Sequence, residues 1–316
     1  RTAAVRALET ADRYPDPRCR KLRAALAAYH GVPAENIVCG NGASDLIYRL
    51  CHALRPRKAA VFAPGFAEYS LALREIGAKV TEIILPEADG FRLTEKPLSA
   101  IPSDCELVFL CNPNNPTGLL TEREVLLFLL TQCRERGTIL CVDECFLDFC
   151  VNAADYSLVR VLVGYPELVI LKAFTKTYAM AGLRLGYALC GDAALAERLQ
   201  GCGQPWAVSG IAQEAGIAAL QEKDYVNQLC ALINVERRRM ISALTALGLR
   251  VVPGEANFLL FQSGDLVLAE KLRARGVLIR DCANFEGLGP GWYRAAVRTA
   301  QENDMLLAAI GEALHG

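Results

Sequence analysis

Histidine is scarce. The 316-residue chain has three, at His30, His52 and His315, far apart and none at ligand spacing from a cysteine pair. A histidine-built metal site or triad base is therefore disfavoured, and no metal is expected. Neither charge sign dominates, with 34 Lys plus Arg against 35 Asp plus Glu and a net charge of −1. There is no electrostatic footprint for nucleic acid. No apolar run approaches the ~18 residues that span a bilayer, so no membrane partner is expected. The opening Arg1-Thr2-Ala3-Ala4-Val5-Arg6 lacks the apolar stretch of a signal peptide. It also lacks an initiator Met, and a segment ahead of Arg1 is expected to be missing. The thirteen cysteines contain no Cys-x-x-Cys pair and lie in apolar stretches such as Leu140-Cys141-Val142. They read as reduced, buried thiols in a cytoplasmic protein.

What the chain does have is a core. Hydrophobic residues make up 53% and charged residues 22%, and the length suits two domains at about 150 residues each. Strand-like runs at Lys58–Ala63, Lys79–Leu85, Glu106–Cys111, Thr138–Asp143, Leu168–Lys172 and Arg184–Cys190 alternate with helical patterns at Gly42–Leu54, Phe66–Ile76, Thr121–Arg136 and Asp192–Gly201. That alternation predicts an α/β fold with a large, mostly parallel sheet flanked by helices. A helix over Lys21–Tyr29 ends at Gly31. Beyond Gln204, helical patterns at Val208–Gln221 and Lys223–Leu247 lead to short strands at Arg250–Val252, Asn257–Phe261, Val277–Arg280 and Trp292–Val297. These alternate with helices at Leu266–Arg275 and Glu302–Leu314. The expected division is a large domain over residues 30–222 and a smaller α+β domain from residues 1–29 and 223–316.

Four segments carry chemistry. Gly40-Asn41-Gly42-Ala43-Ser44-Asp45 opens a helix, where backbone N–H groups and the helix dipole suit a phosphate. It is neither a dinucleotide fingerprint nor a Walker A loop. Cys111-Asn112-Pro113-Asn114-Asn115-Pro116-Thr117-Gly118 follows a buried strand, at the sheet edge where α/β folds bind ligands. Read alone, it is also an ordinary turn. Asp143 ends a strand, as a helix cap would or as a carboxylate facing a ligand cation would. Lys176, in Ala173-Phe174-Thr175-Lys176, follows a buried strand, with Arg184 eight positions on. A lysine in such a setting can act as a nucleophilic amine.

The order of these segments resembles the fingerprint of the fold-type I enzymes that use pyridoxal 5′-phosphate (PLP). The chain is similar throughout its length to the class I/II aminotransferase family, in the branch holding histidinol-phosphate aminotransferase. Further blocks resemble that branch's phosphothreonine decarboxylases. These are Arg13-Tyr14-Pro15-Asp16, Pro64–Tyr69, Gln204-Pro205-Trp206, Leu278–Phe285, Tyr293-Arg294 and Val297-Arg298.

The resemblance implies that Lys176 holds PLP covalently and then serves as acid and base, and that Asp143 pairs with the pyridinium nitrogen. Asn115 would donate to the phenolic oxygen and Phe66 would stack on the ring. Ala43, Ser44, Thr175, Arg184 and, across a homodimer interface, Tyr14 would take the phosphate. Arg294 would bind the substrate carboxylate, Arg280 its phosphate, and Trp206 would shape the wall, with Asn115 also near substrate. Two departures stand out: Ala173 occupies a position where many relatives have Ser, and Phe146 one where transaminases of the branch have Tyr. The implied reaction is decarboxylation of a small phosphorylated amino acid, L-threonine O-3-phosphate, with transamination of histidinol phosphate as the alternative. A non-catalytic module would not need Lys176, Asp143 and Arg184 intact.

Overall fold

The computed structural model describes residues 1–315. Seven strands form the larger sheet: β1 (Ile37–Gly40), β2 (Lys58–Ala63), β3 (Lys79–Ile84), β4 (Leu107–Cys111), β5 (Ile139–Asp143), β6 (Leu168–Ala173) and β7 (Gly186–Cys190). Their spatial order is β1-β7-β6-β5-β4-β2-β3. Strands β2 to β6 run parallel, and β7 is antiparallel to both its neighbours. Every residue of β4 and of β6 is buried, which explains why these segments read as unbroken apolar runs.

Around this sheet lie α1 (Thr2–Ala7), α2 (Arg20–His30), α3 (Ala43–Leu54), α4 (Glu68–Glu75), α5 (Glu95–Ser99), α6 (Arg123–Arg136), α7 (Ala153–Tyr156), α8 (Phe174–Thr177), α9 (Ala193–Gly201) and α10 (Gly210–Ala219). One face of the sheet buries Leu46, Leu50, Leu73, Phe109, Leu171 and Leu199. The other buries Leu22, Leu126, Leu130, Val142, Ile170 and Leu189. The long α11 (Lys223–Ala246) then leads to a second sheet of β8 (Arg250–Val251), β9 (Phe258–Gln262), β10 (Arg280–Asp281) and β11 (Trp292–Ala296). Its order is β10-β11-β9-β8, all antiparallel. With α12 (Leu268–Ala274) and α13 (Ala300–His315), it encloses a third core of Phe261, Tyr293, Leu268, Met240 and Ile310. Among the described residues, no helix is long and apolar enough to cross a membrane.

Three details differ from the sequence reading. Strand β1 was not expected: only four residues long, it is recognisable through its pairing with β7. The expected strand at Val277–Arg280 begins only at Arg280, because the Val277 N–H is spent on Leu272 O, closing α12 after the left-handed Gly276. Residues 1–29, grouped above with the smaller domain, pack instead against the large sheet's side of the molecule. Helix α1 lies on α10, and α2 lies on α10 and β1. Gly216 of α10 is so close to Leu22 and Leu185 that a Cβ there would fall 2.6 Å from the Leu185 side chain. The strand signal of a short apolar segment is weak, and a helix's amphipathic face does not say which partner it will find.

Candidate active site

The carboxyl ends of β4, β5 and β6 converge on a cavity of about 180 Å³. Ala43, Ser44, Phe66, Asn115, Asp143, Thr175, Lys176, Arg184 and Arg294 line it, together with Cys111, Cys145, Phe146 and Ala173. Each side chain arrives there for a local reason. Asp143 is the last residue of β5 and only 6% exposed. Its Oδ2 accepts from the Tyr69 hydroxyl at 2.6 Å and its Oδ1 from the Cys145 N–H at 2.9 Å. Both bonds fix the orientation of the carboxyl group. Tyr69 lies flat on Phe109, with ring centroids 4.9 Å apart. Burial first, and then the adjacent Asp143, push its hydroxyl well above the ordinary tyrosine range, so it stays a donor.

The turn after β4 is tied down by its own amides. Asn112 Oδ1 accepts from the Thr121 N–H at 2.8 Å, and Asn114 Nδ2 donates to Pro64 O and to Thr117 Oγ1, each at 3.0 Å. This fixes the backbone of Asn115, whose amide oxygen accepts from the Arg294 guanidinium. The amide nitrogen is then the donor left for a bound oxygen. Lys176 sits on α8, the single turn that follows β6, with its Nζ 5.5 Å from the centre of the Phe146 ring.

At the amino end of α3, Gly42 has φ +82° and offers no side-chain cap. A Cβ there would lie 2.7 Å from the Arg184 guanidinium, so only glycine lets that cation close over the helix end. Gly186 is equally constrained, since a Cβ would lie 2.5 Å from the Ala43 nitrogen. Arg184, which the sequence pattern assigns to a strand, is in the left-handed region at φ +55°, ahead of β7. Such a conformation costs free energy in a non-glycine residue and clusters at functional sites. The Ala43 and Ser44 amides, the Ser44 and Thr175 hydroxyls and the Arg184 guanidinium offer a cluster of hydrogen-bond donors suited to a phosphate. This set of groups fits PLP: a phosphate cradle, a flat Phe66, a buried carboxyl group fixed by two hydrogen bonds and a lysine amine.

A second cavity of about 290 Å³ shares Phe146, Lys176 and Arg294 with the first and adds Asn257, Phe258 and Arg280. Arg280 and Arg294 face each other across β10 and β11. Arg294 lies over the Phe258 ring at 4.8 Å, and burial lowers its pKa from the usual arginine value. Arg280 bonds to Asn284 Oδ1 at 3.1 Å.

Two expected residues lie elsewhere. Tyr14 and Trp206 are 82% and 46% exposed and pack on each other, with ring centroids 4.7 Å apart, outside both cavities. Tyr69 and Asn257 escaped the sequence reading as site residues. Tyr69 carried a signal, lying three positions after Phe66 and so on the same side of a helix that begins there. Asn257, whose Oδ1 is buried and unpartnered, carried none.

Comparison with known proteins now gives this geometry its context. The model of the family described as aminotransferase class I and II matches residues 1–310. The threonine-phosphate decarboxylase of Salmonella typhimurium is 39% identical over 317 residues, covering 99% of this chain and 86% of its own length. A histidinol-phosphate aminotransferase of Desulfitobacterium hafniense is 36% identical over 312 residues, covering 96% and 84%. Among solved structures, the histidinol-phosphate aminotransferase from Clostridium acetobutylicum superposes with a TM-score of 0.92 at 27% identity, covering 99% of this chain and 95% of that one. The L-threonine-O-3-phosphate decarboxylase from Porphyromonas gingivalis gives 0.86 at 27% identity, covering 100% and 94%. The chain belongs to the class I and II aminotransferase family, with the fold-type I architecture, and its cofactor is PLP.

Proposed function

We propose that this enzyme decarboxylates L-threonine O-3-phosphate to an aminopropanol phosphate and CO₂. The observation that carries the reading is the pair of guanidiniums facing each other across β10 and β11, beside Lys176. Phosphothreonine brings two anionic groups to such a pair, whereas histidinol phosphate brings one. The decarboxylase relative at 39% identity supports the same choice. The histidinol-phosphate aminotransferase at TM-score 0.92 keeps transamination as the second reading.

In this reading Ala43, Ser44, Thr175 and Arg184 hold the PLP phosphate, and Tyr14 of a second copy completes the cradle in a homodimer. Phe66 packs on the ring, and Asn115 donates to its phenolic oxygen. Asp143, held in place by the Tyr69 hydroxyl and the Cys145 amide, would pair with the ring nitrogen. Bound in this way, PLP supplies an electron sink for the bond broken at the substrate Cα. Arg294 and Arg280 would anchor the substrate carboxylate and phosphate, and their placement would orient the substrate for the bond that breaks. The Cα–carboxylate bond breaks, CO₂ leaves, and Lys176 returns a proton to Cα. Phe146 brings no hydroxyl to the cavity, in keeping with a reaction other than transamination. Trp206, stacked on Tyr14 outside both cavities of one chain, would reach a wall only where a second copy brings that pair to the site. All thirteen cysteines are free thiols and eleven are buried, which suits a cytoplasmic enzyme.

The test is a product split. Purified protein with PLP receives L-threonine O-3-phosphate, with and without 2-oxoglutarate, and CO₂ and glutamate are both followed. CO₂ release independent of 2-oxoglutarate, with no glutamate, is the expected outcome. Glutamate from histidinol phosphate, with no CO₂ from phosphothreonine, would establish the transaminase instead.

A further inference from the structure

Directly behind the cavity lies a charge cluster that touches neither of those two cavities; its Lys172 and Asp148 line another, of about 300 Å³, beside Tyr29 and His30. Asp143 pairs in register with Leu171, and the next residues along each strand, Glu144 and Lys172, turn to the opposite side of the sheet. There the Lys172 ammonium lies 3.3 Å from Glu144 Oε2 and 3.4 Å from Asp148 Oδ1. Both Lys172 and Glu144 are almost completely buried. Each carboxylate is in turn engaged elsewhere. Glu144 Oε2 accepts from Ser157 Oγ at 2.8 Å and its Oε1 from the Leu158 N–H at 3.0 Å. Asp148 Oδ2 accepts from Thr177 Oγ1 at 3.1 Å.

The cation therefore ties together three segments, of which the ladder reaches only the first, through the Glu144 N–H on Leu171 O at 2.9 Å. One is the segment leaving β5, which begins at Asp143. The second is the turn of α8, where Thr177 directly follows Lys176. The third is the loop at Ser157 and Leu158. A buried charge is strongly held only where its partners are well placed, and removing this one leaves the fully buried Glu144 carboxylate without its cation, while Asp148 keeps some contact with solvent.

We propose that Lys172 is a positioning residue, whose ammonium, clamped between Glu144 and Asp148, holds the backbones of Asp143 and Lys176 in mutual register from behind the cavity. The inference rests on the reading of Asp143 and Lys176 as the residues that engage PLP, and it is indifferent to which reaction follows.

The test uses the full chain, loaded with PLP and stripped of it, in three variants: Lys172→Met, Lys172→Arg and Thr177→Val. Amide hydrogen exchange is read by segment, together with the pH midpoint of the visible absorbance band that PLP acquires on Lys176. Lys172→Met should speed exchange about tenfold or more in residues 144–149 and 175–178, leave residues 258–262 unchanged and shift the pH midpoint. Lys172→Arg, which keeps the charge, should restore both. Thr177→Val cuts only the Asp148 link and should loosen residues 175–178 alone, so it remains informative if Lys172→Met does not fold. An unchanged pH midpoint, or exchange that rises equally throughout the chain, would overturn the proposal. Absence of any visible band in the unmodified protein would instead overturn the underlying reading of Lys176.

Discussion

The two sheets meet at one cavity but furnish it differently. On the seven-stranded sheet the polar groups come already partnered: Asp143 by Tyr69 and Cys145, and Asn112 and Asn114 by backbone and by Thr117. On the four-stranded sheet, two arginines stand opposite each other. Like charges in directly opposed positions disfavour the pairing of their strands. An anion relieves that repulsion, so the smaller sheet is built for a ligand in a way the larger one is not. The larger sheet has the features of a rigid cofactor seat, and the smaller one those of an exchangeable anion clamp.

The largest effect should come from breaking the seat at its centre. Lys176→Ala should retain the native circular dichroism spectrum, because the side chain is exposed and makes no hydrogen bond, yet lose about 10³-fold or more in kcat. The visible absorbance band of the PLP-loaded protein should vanish with it. Asp143→Asn should lose less, about 10²-fold in kcat, since the amide keeps the shape but not the charge that stabilises a cationic ring. A variant with normal kcat at either position would dismantle the assignment of the large sheet as cofactor seat.

The seat was legible in the sequence and the clamp only partly so, for a physical reason. Strand ends in a parallel sheet fix where the next residue points, so Asn115, Asp143 and Lys176 could be placed from the apolar runs before them. The opposition of Arg280 and Arg294 depends on the register of two short antiparallel strands, which nothing local specifies. Tyr69 and Lys172 were missed because their roles lie in long-range partners, Asp143 for one and two carboxylates for the other. Tyr14 and Trp206 stack on the surface of a single chain, where their sequence blocks alone could not put them.

Charge-preserving substitutions sharpen the contrast. Arg280→Lys and Arg294→Lys each remove a planar fork while keeping the positive charge. Losing one charge-assisted hydrogen bond costs about 1.5–3 kcal/mol, or about 10- to 100-fold. The loss should fall on kcat/KM for the phosphorylated substrate, with the visible spectrum of bound PLP unchanged by Arg280→Lys and, because Arg294 also holds the Asn115 amide oxygen, shifted less by Arg294→Lys than by Asp143→Asn. If either variant perturbs that spectrum as strongly as Asp143→Asn does, the two halves are not separable.

The smallest effect on turnover should lie at His30, which belongs to neither half. Its ring nitrogen Nε2 is 2.8 Å from the Tyr187 hydroxyl. Burial, reinforced by the nearby Lys172 cation, lowers its pKa to about 4. In the unfolded chain an imidazole titrates near about 6.5. Between those values the unfolded state binds the extra proton, so stability is fully present above about 6.5 and declines as pH falls toward 4. The contribution is at most about 3 kcal/mol. His30→Gln removes the titrating group, so the fall in denaturant midpoint between pH 6.5 and 4.5 should flatten while kcat at pH 8 stays within about twofold of the unmodified enzyme. A pH profile of stability identical in both proteins would show that His30 takes up its proton in the folded state without penalty.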